Sequence, residues 1–231
     1  MFFDPLYLVF VLPGMALSLW ASFRVKSAFN RYSEVRSARG LTGAQAAAEM
    51  LRLAGIEGIK IEESHGFLSD HYNPLTKSLA LSESVYHSNS IAAIGVATHE
   101  AGHAIQHARS YGPLWLRSML VPTASIGSSI GYIVMVLGLM MSSAGMVLAG
   151  AVLFSLVLLF QIVTLPVEFN ASSRAKELVV EYGIITSHER EGVDRVLNAA
   201  ALTYVAAAVS TLLTLVYFLM RAGLLGGRRD D

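Results

Sequence analysis

Four apolar stretches and one long polar one set the order of the chain. Pro5 to Phe23 is nearly all apolar, and about 20 such residues suffice to cross a bilayer. Pro13-Gly14 is the expected kink of this segment, and Trp20 suits a membrane interface. The only sizeable polar stretch, residues 24–113, follows. There Thr42 predicts the cap of a helix over Gly43 to Leu53, which Gly55 ends. Gly58 to Glu62 and Lys77 to Leu81 alternate as strands do, and the turn-rich loop 65–74 between them closes on Asn73-Pro74. Ile91, Ile94, Ala97, Ala101 and Ala104 recur at helical spacing. They predict a helix over residues 90–110 that Gly112-Pro113 terminates.

A second apolar segment covers residues 114–141, and its Ser125, Gly127, Ser128, Ser129 and Gly131 favour close helix–helix contact. Residues 142–145 read as a short uncharged turn, and Met146 to Leu165 as a third span, so that 114–165 is a membrane hairpin. Pro166 is expected to break that span and start an amphipathic helix over Val167 to Tyr182, with Glu168 in its first turn. Ser187 opens a last helix, whose polar beginning passes into a fourth span, Leu197 to Met220. The expected fold is a mainly α integral membrane protein. About four transmembrane helices carry a small α+β lobe of residues 24–113.

Composition supports the membrane reading and gives it a direction. The 231 residues are 54% hydrophobic and 15% charged, where soluble domains carry about 25% charged residues. Arg24, Lys26, Arg31, Arg36 and Arg39 directly follow the first span. By the positive-inside rule they place the lobe in the cytoplasm and the N-terminus outside. Alternation then puts ten Lys/Arg (residues 24–117) and four more (166–198) inside, against three in the tail. The tail arginines fit poorly, and a fourth segment lying flat would relieve them. The first twenty residues lack a basic start and a small-residue cleavage site, so they read as a retained anchor. The expected location is the cell membrane, multi-pass. Zero net charge without a basic block argues against nucleic acid as a partner. The absence of cysteine removes disulfides, thiolate metal sites and a cysteine nucleophile.

The chemistry lies in His99-Glu100-Ala101-Gly102-His103. On a helix, positions i and i+4 share a face, so His99 and His103 can hold one metal ion. Glu100 then stands where it can take a proton from water, the H-E-x-x-H arrangement of zinc hydrolases. A catalytic zinc needs three protein ligands and a water. The candidates for the third are Glu168, Glu177, Glu191, His71, His107 and His188. Glu168 is favoured, because the 114–165 hairpin leaves and re-enters one membrane face and returns Glu168 to the side of the histidines. The alternative reading of Glu168 is a carboxylate stabilised at a helix N-terminus. His107 lies one turn beyond His103, too far along the axis for the same ion. For the developing oxyanion, His71, Tyr72, His107, His188 and Arg174 are candidates, each also readable as an ordinary polar residue. Asp70-His71 can form a carboxylate–imidazole pair behind a ligand. Lys77 to Leu81, if an edge strand, can pair with an extended peptide, and otherwise it is an interior strand.

In this order, the stretches SDHYNP, HEAGHAIQH, TLPVEFNASSRA and VLNAAALTYVAAA resemble the YugP-type membrane zinc metallopeptidases, which are similar to the gluzincins of the Ste24/HtpX class. The resemblance covers nearly the whole chain. It implies a zincin-like lobe, one zinc ion held by His99, His103 and Glu168, and Glu100 as the general base and acid. In the Ste24/HtpX class the position four residues after the ligand glutamate is Asp, whereas here it is Ser172. The YugP-type pattern more often has Asp where this chain has Asn73 and Asn170. The implied organisation is a transmembrane helix (1–23), a metallopeptidase lobe (24–113), the hairpin (114–165), a helical segment with the third ligand (166–198), and a last transmembrane helix with its tail (199–231). The expected function is a membrane-embedded zinc endopeptidase, acting at the cytoplasmic face on peptide or membrane-protein substrates and in contact with lipid. The competing reading is a non-catalytic membrane scaffold that keeps a structural zinc. Cleavage inside the bilayer is disfavoured. Only the apolar run Ile91 to Thr98 precedes His99, and Gln106, His107 and Arg109 follow closely.

Overall fold

The computed structural model describes residues 4–66 and 69–225. Arg228 and Arg229 of the tail, and Phe67 and Leu68 of the 65–74 loop, fall outside them. The chain is mainly helical. Its elements are α1 (Pro5–Ser33), α2 (Gly43–Leu53), β1 (Lys60–Ser64), β2 (His71–Asn73), β3 (Ser78–Ser82), α3 (Glu83–Tyr86), α4 (Ile91–Ala108), α5 (Gly112–Ile126), a π-helical turn (Gly127–Gly131), α6 (Tyr132–Met140), α7 (Ala144–Glu181) and α8 (Arg190–Arg221). Among the described residues, four helical stretches are long and apolar enough to cross a membrane: Pro5–Ser33, Gly112–Met140, Ala144–Glu181 and Arg190–Arg221.

Two compact units share the chain. The first comprises Met1–Ser22, Leu116–Leu165 and Thr203–Asp231, and the second Phe23–Trp115 and Pro166–Leu202. In the first, Met135, Val147, Ala151, Phe154, Tyr217 and Phe218 form the buried core. The expected close approach of the hairpin helices rests on glycine: a Cβ on Gly150 would lie 2.6 Å from the Met135 amide nitrogen, and one on Gly131 2.7 Å from that of Phe154. Ser210 Oγ donates to the Gly14 carbonyl at 2.6 Å and lies 2.9 Å from Ser18 Oγ. A cavity of about 770 Å³ in this unit is lined by Asp4, Gly138, Ser142, Tyr217 and Arg221 among others, and contains none of the predicted site residues.

The second unit carries the sheet. Its order is β1-β3-β2, with β1 parallel and β2 antiparallel to β3. β3 is therefore the middle strand, buried at all five positions, and the edge-strand reading of Lys77 to Leu81 falls. Its run Leu79-Ala80-Leu81 packs on both faces, which is what a central strand requires. β2 lies in the loop that the turn residues suggested, and three residues are too few to show a period. The predicted α2 forms with the full reciprocal cap: Gln45 N–H donates to Thr42 Oγ1 at 3.3 Å, and Thr42 N–H to Gln45 Oε1 at 2.9 Å. α4 starts from Ser90, whose Oγ accepts from the Ala93 amide at 3.2 Å. Gly112-Pro113 does not merely end α4 but opens α5, since proline suits the first turn of a helix.

One expectation fails. Pro166 does not break α7, which runs unbroken for 38 residues from Ala144 to Glu181. A proline ring forfeits one backbone donor, and a helix survives that when its next turns are held by packing. Val167, Ala171, Ala175 and Val179 recur every four residues, each fully buried, and that stripe carries the helix onward. Glu168 is thus in the interior of a helix rather than in its first turn, and the N-terminal dipole reading of Glu168 has no basis.

Candidate metal centre

The site is assembled within the second unit from α4 and α7. α4 is apolar on most sides, and fourteen of its residues are buried, among them Ala97, Ala101 and Ala104. Gly102 sets how closely it can lie to α7: a Cβ there would come 2.8 Å from the Ala171 carbonyl oxygen. Only a residue without a side chain allows this approach, and Ala171 is one turn from Glu168. The crossing turns His99 and His103 toward that carboxylate. His99 Nε2 lies 3.2 Å and His103 Nε2 3.5 Å from Glu168 Oε2. The imidazoles meet edge to face, with centroids 4.8 Å apart.

Each ring is held from behind. His99 Nδ1 lies 3.1 Å from Ser172 Oγ, and His103 Nδ1 lies 3.0 Å from Gln106 Oε1. Burial opposes a charged His103 ring. Its bond to Glu168 and the negative charges of Glu100 and Glu168 outweigh that, so its pKa stands above the ordinary histidine value.

The donor set fits zinc. One ligand atom from each of His99, His103 and Glu168 lies within 4.8 Å of the others. A tetrahedral ion with bonds of about 2.0–2.2 Å holds neighbouring ligand atoms about 3.3–3.6 Å apart, which brackets the observed 3.5 Å and nearly meets the 3.2 Å. Two imidazoles and a carboxylate, without thiolate, are also the donors of hydrolytic rather than structural zinc. Glu100, 9% exposed, follows His99 on the same helix.

The other predicted residues lie elsewhere. Glu177 and Glu191 are exposed, and Glu191 accepts from Arg195 one turn on at 3.2 Å. His188 is exposed in the turn before α8. Asp70 and His71 face different partners. Asp70 Oδ1 accepts from the Ser82 amide at 2.8 Å and its hydroxyl at 3.0 Å, while His71 Nδ1–H donates to the Ser69 carbonyl at 2.8 Å. Burial raises the Asp70 pKa; the Ser82 bonds oppose this and the Glu100 charge adds to it. His107 stands one turn beyond the cluster, its Nδ1 2.8 Å from the Tyr72 hydroxyl on β2. Arg174 Nε–H donates to Asn170 Oδ1 at 2.8 Å. Sequence reasoning passed over Gln106 and Gly102. A polar residue three positions after a metal-site histidine, amid Ala101, Ala104 and Ile105, was the signal for the first.

Comparison with known proteins agrees with this geometry. A family model described as "Putative neutral zinc metallopeptidase" matches residues 7–223. The "Putative membrane protease YugP" of Bacillus subtilis (strain 168) is 45% identical over 215 residues, covering 93% of this chain and 96% of the relative. No solved structure matches the chain significantly. With four apolar helices and a His/His/Glu cluster suited to a metal, the chain belongs to the zinc metallopeptidase family of that description, among membrane proteases of the YugP type.

Proposed function

We propose that the protein is a membrane-embedded zinc endopeptidase whose single zinc ion is held by His99, His103 and Glu168. The observation that carries this reading is the convergence of two Nε2 atoms on one carboxylate oxygen in a pocket where Glu168 is 2% exposed. A buried carboxylate between two imidazoles costs desolvation, and a cation among all three repays it. Zinc bound there supplies a Lewis acid for the scissile carbonyl and lowers the pKa of water toward neutrality. Glu100 accepts the proton of the attacking water and delivers it to the departing amine. Ser172 and Gln106 keep the imidazoles aimed. Tyr72, His107, Arg174, His71 and His188 are the donors to test for the oxyanion. Tyr72 and His107 act as a bonded pair, and the remaining three stand apart from it.

The site is placed at the cytoplasmic face, since the basic residues of 24–117 and 166–198 surround the ligands in sequence. Substrates are then peptide segments or membrane proteins emerging at that face. The retention of Glu100 beside the ligands favours an enzyme over a scaffold with a structural zinc, which has no use for that carboxylate.

Zinc content and proteolysis of a denatured protein substrate, measured for the purified parent and Glu100→Gln, test the reading. Equal zinc in both proteins with a loss of about 10²-fold or more in cleavage is expected, in line with general-base catalysis. Equal cleavage by the two would remove Glu100 from the mechanism.

A further inference from the structure

Gln106 is fully buried within the second unit, and its side chain has three polar partners. Oε1 lies 3.0 Å from His103 Nδ1, and Nε2 lies 2.8 Å from the Val167 carbonyl oxygen and 3.0 Å from Asn170 Oδ1. These partners fix which end of the amide is which. A backbone carbonyl only accepts, so the amide NH₂ faces Val167. The oxygen end then faces His103 Nδ1, and because that oxygen only accepts, Nδ1 carries the proton. Asn170 is fixed in the same way: its Oδ1 also receives Arg174 Nε–H at 2.8 Å, from a group that only donates. Two donor chains thus converge on Asn170 Oδ1: one runs from His103 Nδ1–H through Gln106, and Arg174 supplies the other.

A neutral His103 with its proton on Nδ1 has its lone pair on Nε2. That nitrogen faces Glu168 Oε2 at 3.5 Å. A lone pair facing a carboxylate oxygen is repulsive until a cation stands between them. The other tautomer would place a proton on Nε2, where it would bond Glu168 and block the ion.

We infer that Gln106 is a positioning residue of the metal centre with two tasks. Through Oε1 it holds His103 in the tautomer that presents Nε2 to the ion. Through Nε2 it holds the α7 backbone at Val167, immediately before Glu168, so that one amide registers ligands from both helices. The inference rests on the metallopeptidase reading, yet part of its test does not.

That part uses the zinc-free parent with ¹⁵N-labelled imidazoles, under conditions where His103 is neutral. The expected state is Nδ1–H; an Nε2–H tautomer overturns the inference, whether or not the protein cleaves peptides. The second readout is zinc affinity by chelator competition for the parent, Gln106→Leu and Gln106→Glu. Leucine keeps the size and removes every polar atom, whereas glutamate keeps an acceptor for Nδ1–H. Gln106→Leu should bind zinc about 10–100-fold more weakly, the usual cost of losing a partner of a metal histidine. Gln106→Glu should recover only part of that loss, since it restores the acceptor for Nδ1–H but not the donor to the Val167 carbonyl. A leucine variant equal to the parent overturns the inference, and so does a glutamate variant as weak as leucine. Should Gln106→Leu fail to fold, the parent's tautomer and the glutamate variant decide. Should the parent bind no zinc, the peptidase reading fails while the tautomer still reports on Gln106.

Discussion

Glu168 shows how much a single residue can be asked to do by its surroundings. It is 2% exposed, on a helix whose neighbouring turns are apolar, and both imidazoles approach the same oxygen. An isolated buried carboxylate would be expelled or neutralised; this one is kept by its partners. The meeting of His99 and His103 was legible in the sequence because their spacing is the chemistry: i and i+4 on a helix cannot avoid sharing a face. Gln106 was not, since an amide carries no charge or ligand signature and its role depends on a residue 61 positions away in the chain, Val167. Ser172 is intermediate. It stands where the Ste24/HtpX class has a carboxylate, and its hydroxyl does reach His99 Nδ1 at 3.1 Å. A neutral hydroxyl is the weaker partner, so Ser172→Ala should cost about tenfold in zinc affinity, the low end for such partners, while Ser172→Asp should bind at least as tightly as the parent. Chelator competition on the two variants reads both; a serine-to-alanine change without effect would show His99 to be held by packing alone.

At the scale of elements, the helices that could be read were those with local signals. Thr42 caps α2 where its side chain indicated, and the structure adds Ser90 as the cap of α4; each side chain accepts from a first-turn amide. What could not be read depended on packing. β2 is three residues long and exists because β3 offers it a ladder; α7 passes Pro166 because Val167, Ala171 and Ala175 are buried beyond it. The continuity of α7 matters for the site, as it gives Glu168 the same rigid helix as Ala171, against which Gly102 packs. A methyl group at Gly102 would meet the Ala171 carbonyl at 2.8 Å, and backbone on both sides leaves nothing soft to yield. Gly102→Ala should therefore push α4 from α7 and weaken zinc binding more than it lowers the melting temperature of the zinc-free protein. Gly112→Ala, with open space around its Cβ, is the control. Equal zinc affinity for parent and Gly102→Ala would mean that the helices do not need this contact to form the site.

For the whole molecule, the apolar runs were the most legible feature, because a bilayer imposes length and composition with little help from packing. Four helices meet those demands. Their orientation rests on the distribution of Lys and Arg, fourteen against three. The chain has no cysteine, so single introduced thiols report it cleanly. Glu57→Cys and Ser187→Cys, both at exposed positions, should react with an impermeant thiol reagent only after cells are opened, and Met141→Cys in the hairpin turn should react in intact cells. The opposite pattern would put the site on the outer face. Either way, the metal centre requires two distant segments to meet: His103 and Glu168 are 65 positions apart, with the apolar hairpin between them. Equilibrium zinc titration of the parent, Glu168→Ala and Glu177→Ala tests that meeting most directly. Removing a ligand should weaken binding well beyond the tenfold expected for a supporting residue, while Glu177→Ala, an exposed carboxylate about two and a half turns away on α7, should match the parent. Unchanged affinity in Glu168→Ala would contradict the joined site and send the third ligand elsewhere.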